Sequence, residues 1–480
     1  MAYLENNPTK EEKMGETAKI KIVRIAPFLG GVEVEYRKND PKGVYVKLVI
    51  KELATGETVF EEIGYCTPAA LKADRLTVDV DYVAEVVLLD RDKEEIERSN
   101  ARLFRCGFFP GKVIDYIHPD DQTFIRSGEF IGSPHIVRLD DGSYLAAHDV
   151  FSHDGVIGHE ALCRIFASKD RGEHWKFASE IEHCTAGTLF TVKNCVYMLG
   201  NSGYVDGGGD IVLYCSKDGR TWSEPVVIAK RSKTACFRPC PMTYGVHEGR
   251  LWFYTGVYEN NDNAVGVISA DLNSDLTNPK SWVLSDWVHY EPEWCNGVEK
   301  WFPIMLEEGN VLVSPEGELK ILIRCNSHRY DTPVVKPENI REIVFKIDAK
   351  NPKAAPVFEK SFCFNGGLHK AYMMHDEGAE RYVGMVNRIT ADEIWQRNVL
   401  SLVSSKDLET WQIERDLLNL EDIGWGENSW QCAVQYPSFV IEGNDAMAVV
   451  RTAINGADNF HNANAMTFHC FKNINDKYRF

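Results

Sequence analysis

Apolar and polar residues alternate in short runs along the first hundred residues of the chain. Such runs cover residues 20–25, 31–36, 44–50, 77–80 and 83–89, and turn-forming stretches such as Asn39-Asp-Pro-Lys-Gly43 separate them. Alternation with a period of two, bounded by Gly, Pro, Asn and Asp, is typical of half-buried β-strands. We therefore expect a flexible N-terminus over residues 1–17 and a small β-sandwich of the immunoglobulin or fibronectin type over residues 18–108.

Beyond about residue 125 the pattern becomes a repeat of hairpins. An apolar run, a tight turn such as Leu139-Asp-Asp-Gly142 and a second apolar run recur at intervals of about 45–65 residues. Radial repetition of small antiparallel sheets at this spacing indicates a β-propeller. The repeats begin near Gly132, Thr185, Arg238, Glu308, His369 and Gln431. We predict an all-β protein in which a six-bladed propeller over residues 109–480 follows the sandwich.

The sixth repeat ends near Ile474 and is one strand short. Residues 112–117, which precede the first blade, form an apolar run that could supply this strand. A propeller closed in this way has no open sheet edge. The sequence therefore predicts that the two ends of the propeller region pair within one blade.

Three segments share the template Ser-x-Asp-x-Gly-x-x-Trp, at residues 168–175, 216–222 and 405–411. The second is one residue shorter, and the third lacks the glycine. Each lies between two apolar runs and predicts a hairpin in which Ser and Asp bond to the turn backbone and Trp packs beneath. On these motifs the chain resembles the sialidase-like, Asp-box (BNR-repeat) superfamily of six-bladed β-propellers, in which the boxes are structural.

Composition narrows the range of partners. The net charge of −18 argues against nucleic acid or an anionic membrane, because both need basic patches. No stretch of about 18 apolar residues and no apolar leader occurs, and thirteen cysteines lack a disulfide spacing. We expect free thiols and a cytoplasmic protein, with neither cofactor nor metal, whose partner is an oligosaccharide or glycoside.

Propeller geometry selects the candidate functional residues. The starts of the first strands, the ends of the second and the starts of the third meet at one rim of the central channel, whereas the box hairpins lie at the opposite rim. Clustered polar side chains at such a rim favour a polyhydroxylated ligand. The selected residues include His135, His148, Asp149, Glu308, Arg324, His369, Lys370, Asn387, Arg397, Gln435, Tyr436, Arg451, His461 and Asn464.

The resemblance to sialidases implies roles for some of these residues. Sialidases hold a sugar carboxylate with three arginines, use a tyrosine nucleophile activated by a glutamate, and protonate the leaving group with an aspartate. Tyr436 matches the nucleophile and Glu308 its partner, with Glu307 as a register alternative. Arg324 and Arg397 match the second and third arginines. Asp149 or Asp154 matches the acid.

The first arginine of the sialidase pattern is missing. The corresponding Arg-Ile-Pro motif of blade one is replaced here by Gly132-Ser133-Pro134, followed by His135. The chain is more similar to bacterial sialidase-like proteins that carry a small N-terminal β-domain and end in a segment like residues 460–469. That resemblance implies a sugar-active site without fixing the sugar.

These patterns predict a glycoside hydrolase that removes a terminal, acidic sugar from an oligosaccharide and is not a true sialidase. Asp149, Glu308, Tyr436, His135 and His369 are the candidate catalytic residues. The candidate substrate-binding residues are His148, Arg324, Arg397, Asn387, Gln435, Arg451, His461 and Asn464. Two alternatives remain: a uronate lyase in which His135, His369 or Tyr436 is the base, and a propeller that only binds carbohydrate.

Overall fold

The computed structural model describes residues 18–67, 70–152, 160–203, 208–260, 262–295, 306–325, 340–391, 393, 395–422, 424 and 429–475. The chain divides into two compact units, residues 1–107 and 108–480. Regular structure in the described part consists of β-strands and three short 3₁₀ helices, at Gln122–Phe124, Pro279–Ser281 and Pro292–Cys295. None of its helices is long and apolar enough to cross a membrane.

The first unit is a sandwich of two antiparallel sheets. One sheet has the order β1-β2-β5, and the other has the order β4-β3-β6-β7 with β8 added beside β6. Strand β1 packs against β6 and β8, and the core between the sheets holds Val34, Leu48 and Phe104, each at most 1 % exposed. The strands are β1 (Ile20–Phe28), β2 (Gly31–Lys38), β3 (Tyr45–Glu52), β4 (Thr58–Tyr65), β5 (Leu71–Asp74), β6 (Asp81–Leu89), β7 (Glu95–Arg98) and β8 (Arg102–Arg105).

The second unit contains six antiparallel sheets that follow one another along the chain. Blade one contains β10 (Phe130–Ile131), β11 (His135–Arg138), β12 (Tyr144–Phe151), β13 (Leu162–Ser168) and β14 (Lys176–Glu182). Blade two contains β15 (Thr185–Val192), β16 (Cys195–Asn201), β17 (Ile211–Ser216) and β18 (Val226–Ala229). Blade three contains β19 (Ala235–Arg238), β20 (Gly245–His247), β21 (Arg250–Glu259), β22 (Asp262–Asp271), β23 (Trp282–Leu284) and β24 (Val288–His289).

The last three blades follow the same plan. Blade four contains β25 (Leu306–Val313), β26 (Leu319–Cys325), β27 (Arg341–Ile347) and β28 (Val357–Cys363). Blade five contains β29 (Tyr372–Asp376), β30 (Arg381–Asn387), β31 (Val399–Ser405) and β32 (Gln412–Asn419). Blade six contains β33 (Ala433–Glu442), β34 (Asp445–Ala453), β35 (Ala465–Phe471) and β9 (Lys112–Tyr116). The predicted all-β fold, a six-bladed propeller after a β-sandwich, is confirmed.

Strand β9 closes the ring by pairing antiparallel with β35, Tyr116 opposite Ala465. The prediction that residues 112–117 complete the last blade is thus confirmed. The first strands of neighbouring blades line a channel, with contacts between β11 and β15, β20 and β25, β25 and β29, β29 and β33, and β33 and β11. The site therefore rests on inner strands that are buttressed on both sides.

The three box segments form the turns between the third and fourth strands of blades one, two and five, as predicted. In each, the serine hydroxyl donates to the aspartate (3.0–3.1 Å) and accepts a backbone N–H 2.9 Å away. The residue that donates this N–H has a left-handed backbone: Gly172 (φ 86°), Gly219 (φ 67°) and Leu408 (φ 60°). The third box therefore keeps the turn without the glycine that normally makes it easy.

Candidate active site

Three alternate blades carry the same irregularity in their first strand. The register of the strand pair shifts at residues 185–188 in blade two, 307–310 in blade four and 435–438 in blade six. Within each bulge one residue has a left-handed backbone: Ala186 (φ 51°), Glu308 (φ 61°) and Tyr436 (φ 53°). Such a conformation costs a non-glycine residue roughly 1–2 kcal/mol and is concentrated at functional sites. The bulges re-aim one side chain in each blade.

The ring of Tyr436 has three cationic side chains as neighbours. Three cationic groups lie within 6 Å of its ring centroid: the guanidinium of Arg451 at 4.9 Å, the ammonium of Lys370 at 5.5 Å and the guanidinium of Arg397 at 5.8 Å. Burial, and secondarily the charge of Glu308, raises the pKa of the Tyr436 phenol, which the surrounding arginines oppose. The phenol therefore needs a base or a bound ligand to become nucleophilic.

Glu308 is held by Arg324, the last but one residue of β26. Arg324 places Nε 2.9 Å from Glu308 Oε2 and Nη2 2.6 Å from Glu307 Oε2, and its Nη1 donates to the carbonyl of Leu368 (3.1 Å). Glu307 and Glu308, the two candidates for the partner of the tyrosine, thus share one guanidinium. The bulge places Glu308, and not Glu307, in the left-handed position.

Arg397 and Arg451 are positioned by uncharged oxygen atoms. Arg397 Nη1 donates to Gln435 Oε1 (2.6 Å), and Gln435 Nε2 in turn donates to the carbonyl of Phe460. Arg451 Nη2 donates to the carbonyl of His461. Burial lowers the pKa of Arg451 to about 10, which leaves the guanidinium charged at neutral pH. Gln435 thus positions the guanidinium of Arg397, and the backbone carbonyl of His461 positions that of Arg451.

Asp149 is fixed at the mouth of blade one. Its Oδ1 accepts the backbone N–H of Ser133 (2.5 Å), and its Oδ2 accepts the hydroxyl of Thr185 (2.5 Å) and the backbone N–H of Ala186 (3.0 Å). A Cβ on Gly132 would lie 2.1 Å from Asp149 Oδ1. The place of the missing arginine is therefore filled by this carboxylate. Asp154, the other candidate acid, lies outside the described residues.

Three of the four rim histidines, His135, His369 and His461, are neutral at physiological pH. Burial lowers the pKa of His135 to about 3 and the pKa values of His369 and His461 well below the usual range, with nearby cations adding to the effect. The ring nitrogens of His135 lie 3.3 Å from the Leu189 N–H and from the Tyr372 hydroxyl, so His135 ties strands together. His369 has Arg397 and Arg324 as its charged neighbours.

Three predicted binding residues bond to the protein itself. His148 Nε2 lies 3.0 Å from Asp115 in the closing strand. Asn387 donates to the carbonyls of Arg397, Val399 and Val434, and Asn464 bonds to the backbone of Ile454 in both directions. Each of these side chains therefore has a hydrogen-bond partner within the protein.

The comparisons with known proteins reveal similarity in structure only. No model of a known protein family matches the chain, and no curated protein does. The leech intramolecular trans-sialidase, solved with 2,7-anhydro-Neu5Ac, superimposes with a TM-score of 0.50 at 9 % identity, over 96 % of this chain and 92 % of that one. The chain has a sialidase-like β-propeller fold. The intramolecular trans-sialidase of Ruminococcus gnavus gives 0.49 at 11 % identity, over 76 % and 98 %.

Two charged residues of this sialidase-like propeller stand out only in three dimensions. Lys370 is 1 % exposed, and burial lowers its pKa to about 8, while Glu308 and Asp149 oppose this shift. Glu342 is 1 % exposed beside Arg324, and burial raises its pKa to about 8. A charge inside an apolar strand, as in residues 341–347, is the signal that could have identified Glu342. Lys370 follows His369 among many polar rim residues and had no such signal.

No group of three or more His, Cys, Asp or Glu side chains within the described ranges is arranged to hold a metal ion. All thirteen cysteines are free thiols.

Proposed function

We propose that this protein is a glycoside hydrolase that removes a terminal acidic sugar from an oligosaccharide. The observation that carries the proposal is the pair of bulges at Glu308 and Tyr436. The carboxylate of Glu308 lies against Arg324, the ring of Tyr436 lies against Arg397 and Arg451, and the charge of Glu308 acts on the phenol. Tyr436 is the proposed nucleophile and Glu308 its base. Asp149 is the proposed acid, which protonates the leaving oxygen and later activates water.

A phenol nucleophile suits an anionic substrate. A carboxylate nucleophile would be repelled by the carboxylate of an acidic sugar, whereas a neutral phenol is not. The phenol loses its proton to Glu308 as it attacks, and the surrounding cations stabilise the oxygen that carries the developing charge. A covalent glycosyl–tyrosine intermediate would then be hydrolysed with Asp149 as base, following the two-step logic of retaining glycosidases.

The fold neighbour supports glycosidic chemistry in general terms. The leech protein is a trans-sialidase, and its likeness to this chain is one of fold. The glycine in place of the blade-one arginine, packed against Asp149, argues against sialic acid as the substrate. We therefore propose another acidic sugar, such as a uronate, as the terminal residue.

Replacing Tyr436 with phenylalanine tests the nucleophile. Incubation with acidic and neutral oligosaccharides, with products followed by mass spectrometry, should show release of a terminal sugar by the wild type and none by Tyr436→Phe. Binding of the acidic sugar should stay within a few-fold, because only a hydroxyl is removed. Tyr382→Phe is the matched control: this buried tyrosine of blade five donates to the carbonyl of Val313 in blade four and should leave turnover unchanged. Full turnover by Tyr436→Phe would refute the nucleophile role.

The placement of His369 favours a second candidate, a uronate lyase. His369 is 3 % exposed, neutral, and has Arg324 and Arg397 as charged neighbours. Arginines that neutralise a uronate carboxylate make the adjacent C–H acidic enough for a histidine base. A product that absorbs in the ultraviolet, together with loss of activity in His369→Ala, would establish elimination in place of hydrolysis. Binding without any product would indicate a carbohydrate-binding propeller.

A further inference from the structure

Among the residues that the structure describes, three buried cations of the channel have no carboxylate partner. Arg397, Arg451 and Lys370 are 6 %, 3 % and 1 % exposed. Within the described residues, none of the three has a carboxylate oxygen within 4.0 Å. Their oxygen partners are neutral: the Gln435 amide, the carbonyl of His461, and the carbonyl of Pro437 at 3.4 Å from Lys370 Nζ.

Like charges that are buried without counterions destabilise a folded protein. All three cations nonetheless lie within 6 Å of the centroid of one tyrosine ring. A ligand that brings negative charge into the channel would relieve this repulsion. The arrangement is therefore that of a site whose counterion is the ligand.

Arg324 and residue 132, the other two arginine positions of the sialidase pattern, do not take this role. Arg324 is neutralised by Glu307 and Glu308, at 2.6 and 2.9 Å. No arginine can stand at residue 132, because even a Cβ there would overlap Asp149. The third cation of the cluster is Lys370, a rim residue to which the resemblance to sialidases assigns no role.

We propose that Lys370, together with Arg397 and Arg451, binds the carboxylate of the substrate, and that Lys370 determines the specificity for an acidic sugar. The inference rests on the proposed function and names the group that recognises its substrate. Lys370 comes from the start of blade five and Arg451 from the end of the second strand of blade six, so two blades replace the cation that blade one lacks.

A lysine makes the site sensitive to pH where an arginine would not. The charged and titratable groups that face Lys370 are Glu308, Asp149, Cys240, Arg451 and His135, next to the rings of Tyr372 and Tyr436. With a pKa of about 8, Lys370 is charged at pH 7 and largely neutral at pH 9. The affinity for an acidic sugar should fall about tenfold over this interval, and the affinity for a neutral sugar should not.

The experiment measures binding by calorimetry at pH 7 and pH 9. The probes are galacturonate, glucuronate and 2,7-anhydro-Neu5Ac, with galactose and glucose as neutral counterparts. Lys370→Met should lower the affinity for the preferred acidic probe at pH 7 at least tenfold and abolish its pH dependence. Lys370→Arg should keep the affinity and hold it to pH 9. Lys320→Met is the matched control, since Lys320 is a buried lysine of blade four that has Glu318 and Glu359 as partners.

The outcomes separate the inference from the proposed function. Unchanged affinity in Lys370→Met, or an unaltered pH dependence in Lys370→Arg, overturns the role of Lys370 even if the wild type hydrolyses glycosides. Selective binding of an acidic probe that depends on Lys370, without turnover of any glycoside, supports the anion site and refutes the proposed hydrolase activity. No preference for acidic over neutral probes in the wild type overturns both. If Lys370→Met fails to fold, the pH dependence of Lys370→Arg decides.

Discussion

The closing strand of the ring is tied to blade one by a buried ionic cluster, and we predict that Asp115→Asn destabilises the propeller. Asp115 in β9 accepts a hydrogen bond from Arg164 Nε (2.9 Å) and lies 3.0 Å from His148 Nε2. These three side chains are at most 1 % exposed. The guanidinium of Arg164 also lies 4.4 Å from the ring centroid of Phe124, so it cannot turn to solvent without losing that contact.

The size of the effect follows from burial. Removing one partner of a buried pair costs about 3–5 kcal/mol, because the other charge is left without compensation. Glu180, which is 28 % exposed, still faces Arg164 after the substitution, and this places the expected loss near the lower end, at about 3 kcal/mol. The pair of Lys112 with Glu173, at the start of the same strand, is 42 % and 73 % exposed, so its loss should change the stability little.

Unfolding in denaturant, followed by tryptophan fluorescence, measures this loss. All eleven tryptophans lie between residues 175 and 430, so the signal reports on the second unit alone. Asp115→Asn should shift the transition to lower denaturant, with Lys112→Ala close to the wild type. A free energy of unfolding for Asp115→Asn within 1 kcal/mol of the wild type would show that the cluster does not secure the ring.

Two further substitutions probe buried groups of the site. Gly132→Ala places a methyl group 2.1 Å from Asp149 Oδ1 and should lower turnover at least tenfold, while Gly266→Ala, whose new methyl group meets its neighbours at 3.5 Å, should not; equal activities would refute the placement of Asp149. Glu342 has a folded-state pKa of about 8 against 4.5 in the unfolded chain, so between pH 5 and 8 the unfolded state binds fewer protons and the wild type loses stability as the pH rises. Glu342→Gln should have a flatter stability curve over this window in the same fluorescence assay, and parallel curves would contradict the shift.

The fold could be predicted from the sequence because its signals are local. Hairpins of blade length, the three box turns and the apolar run at residues 112–117 each depend on neighbouring residues, and each lies where it was expected. The box at residues 405–411 shows the limit of this approach. Leu408 adopts the backbone of the missing glycine because its side chain, 1 % exposed, is held in a hydrophobic cluster.

The site could be predicted only in part, because its decisive features depend on contacts between blades. The rim argument selected Tyr436, Glu308 and the arginines without indicating which partners are charged. Arg324 is neutralised by two glutamates of its own blade, which the bulge in β25 brings to it. Lys370 of blade five lies against the ring of Tyr436 of blade six, a contact between blades that the sequence does not indicate. His148 was also selected at the rim, where it neighbours Asp149 in the chain. Its side chain instead bonds to Asp115 of the closing strand.

The repeated bulge also offers a position at which a new functional side chain could be introduced. Blades two, four and six present the same left-handed residue, and only the one in blade two, Ala186, carries no functional group. Its backbone is already in the conformation that Glu308 and Tyr436 need. A substitution at residue 186 would therefore place a third functional side chain on a backbone that already has this conformation. Residue 186 is thus the one position of the three bulges at which the backbone is set but no functional group is present.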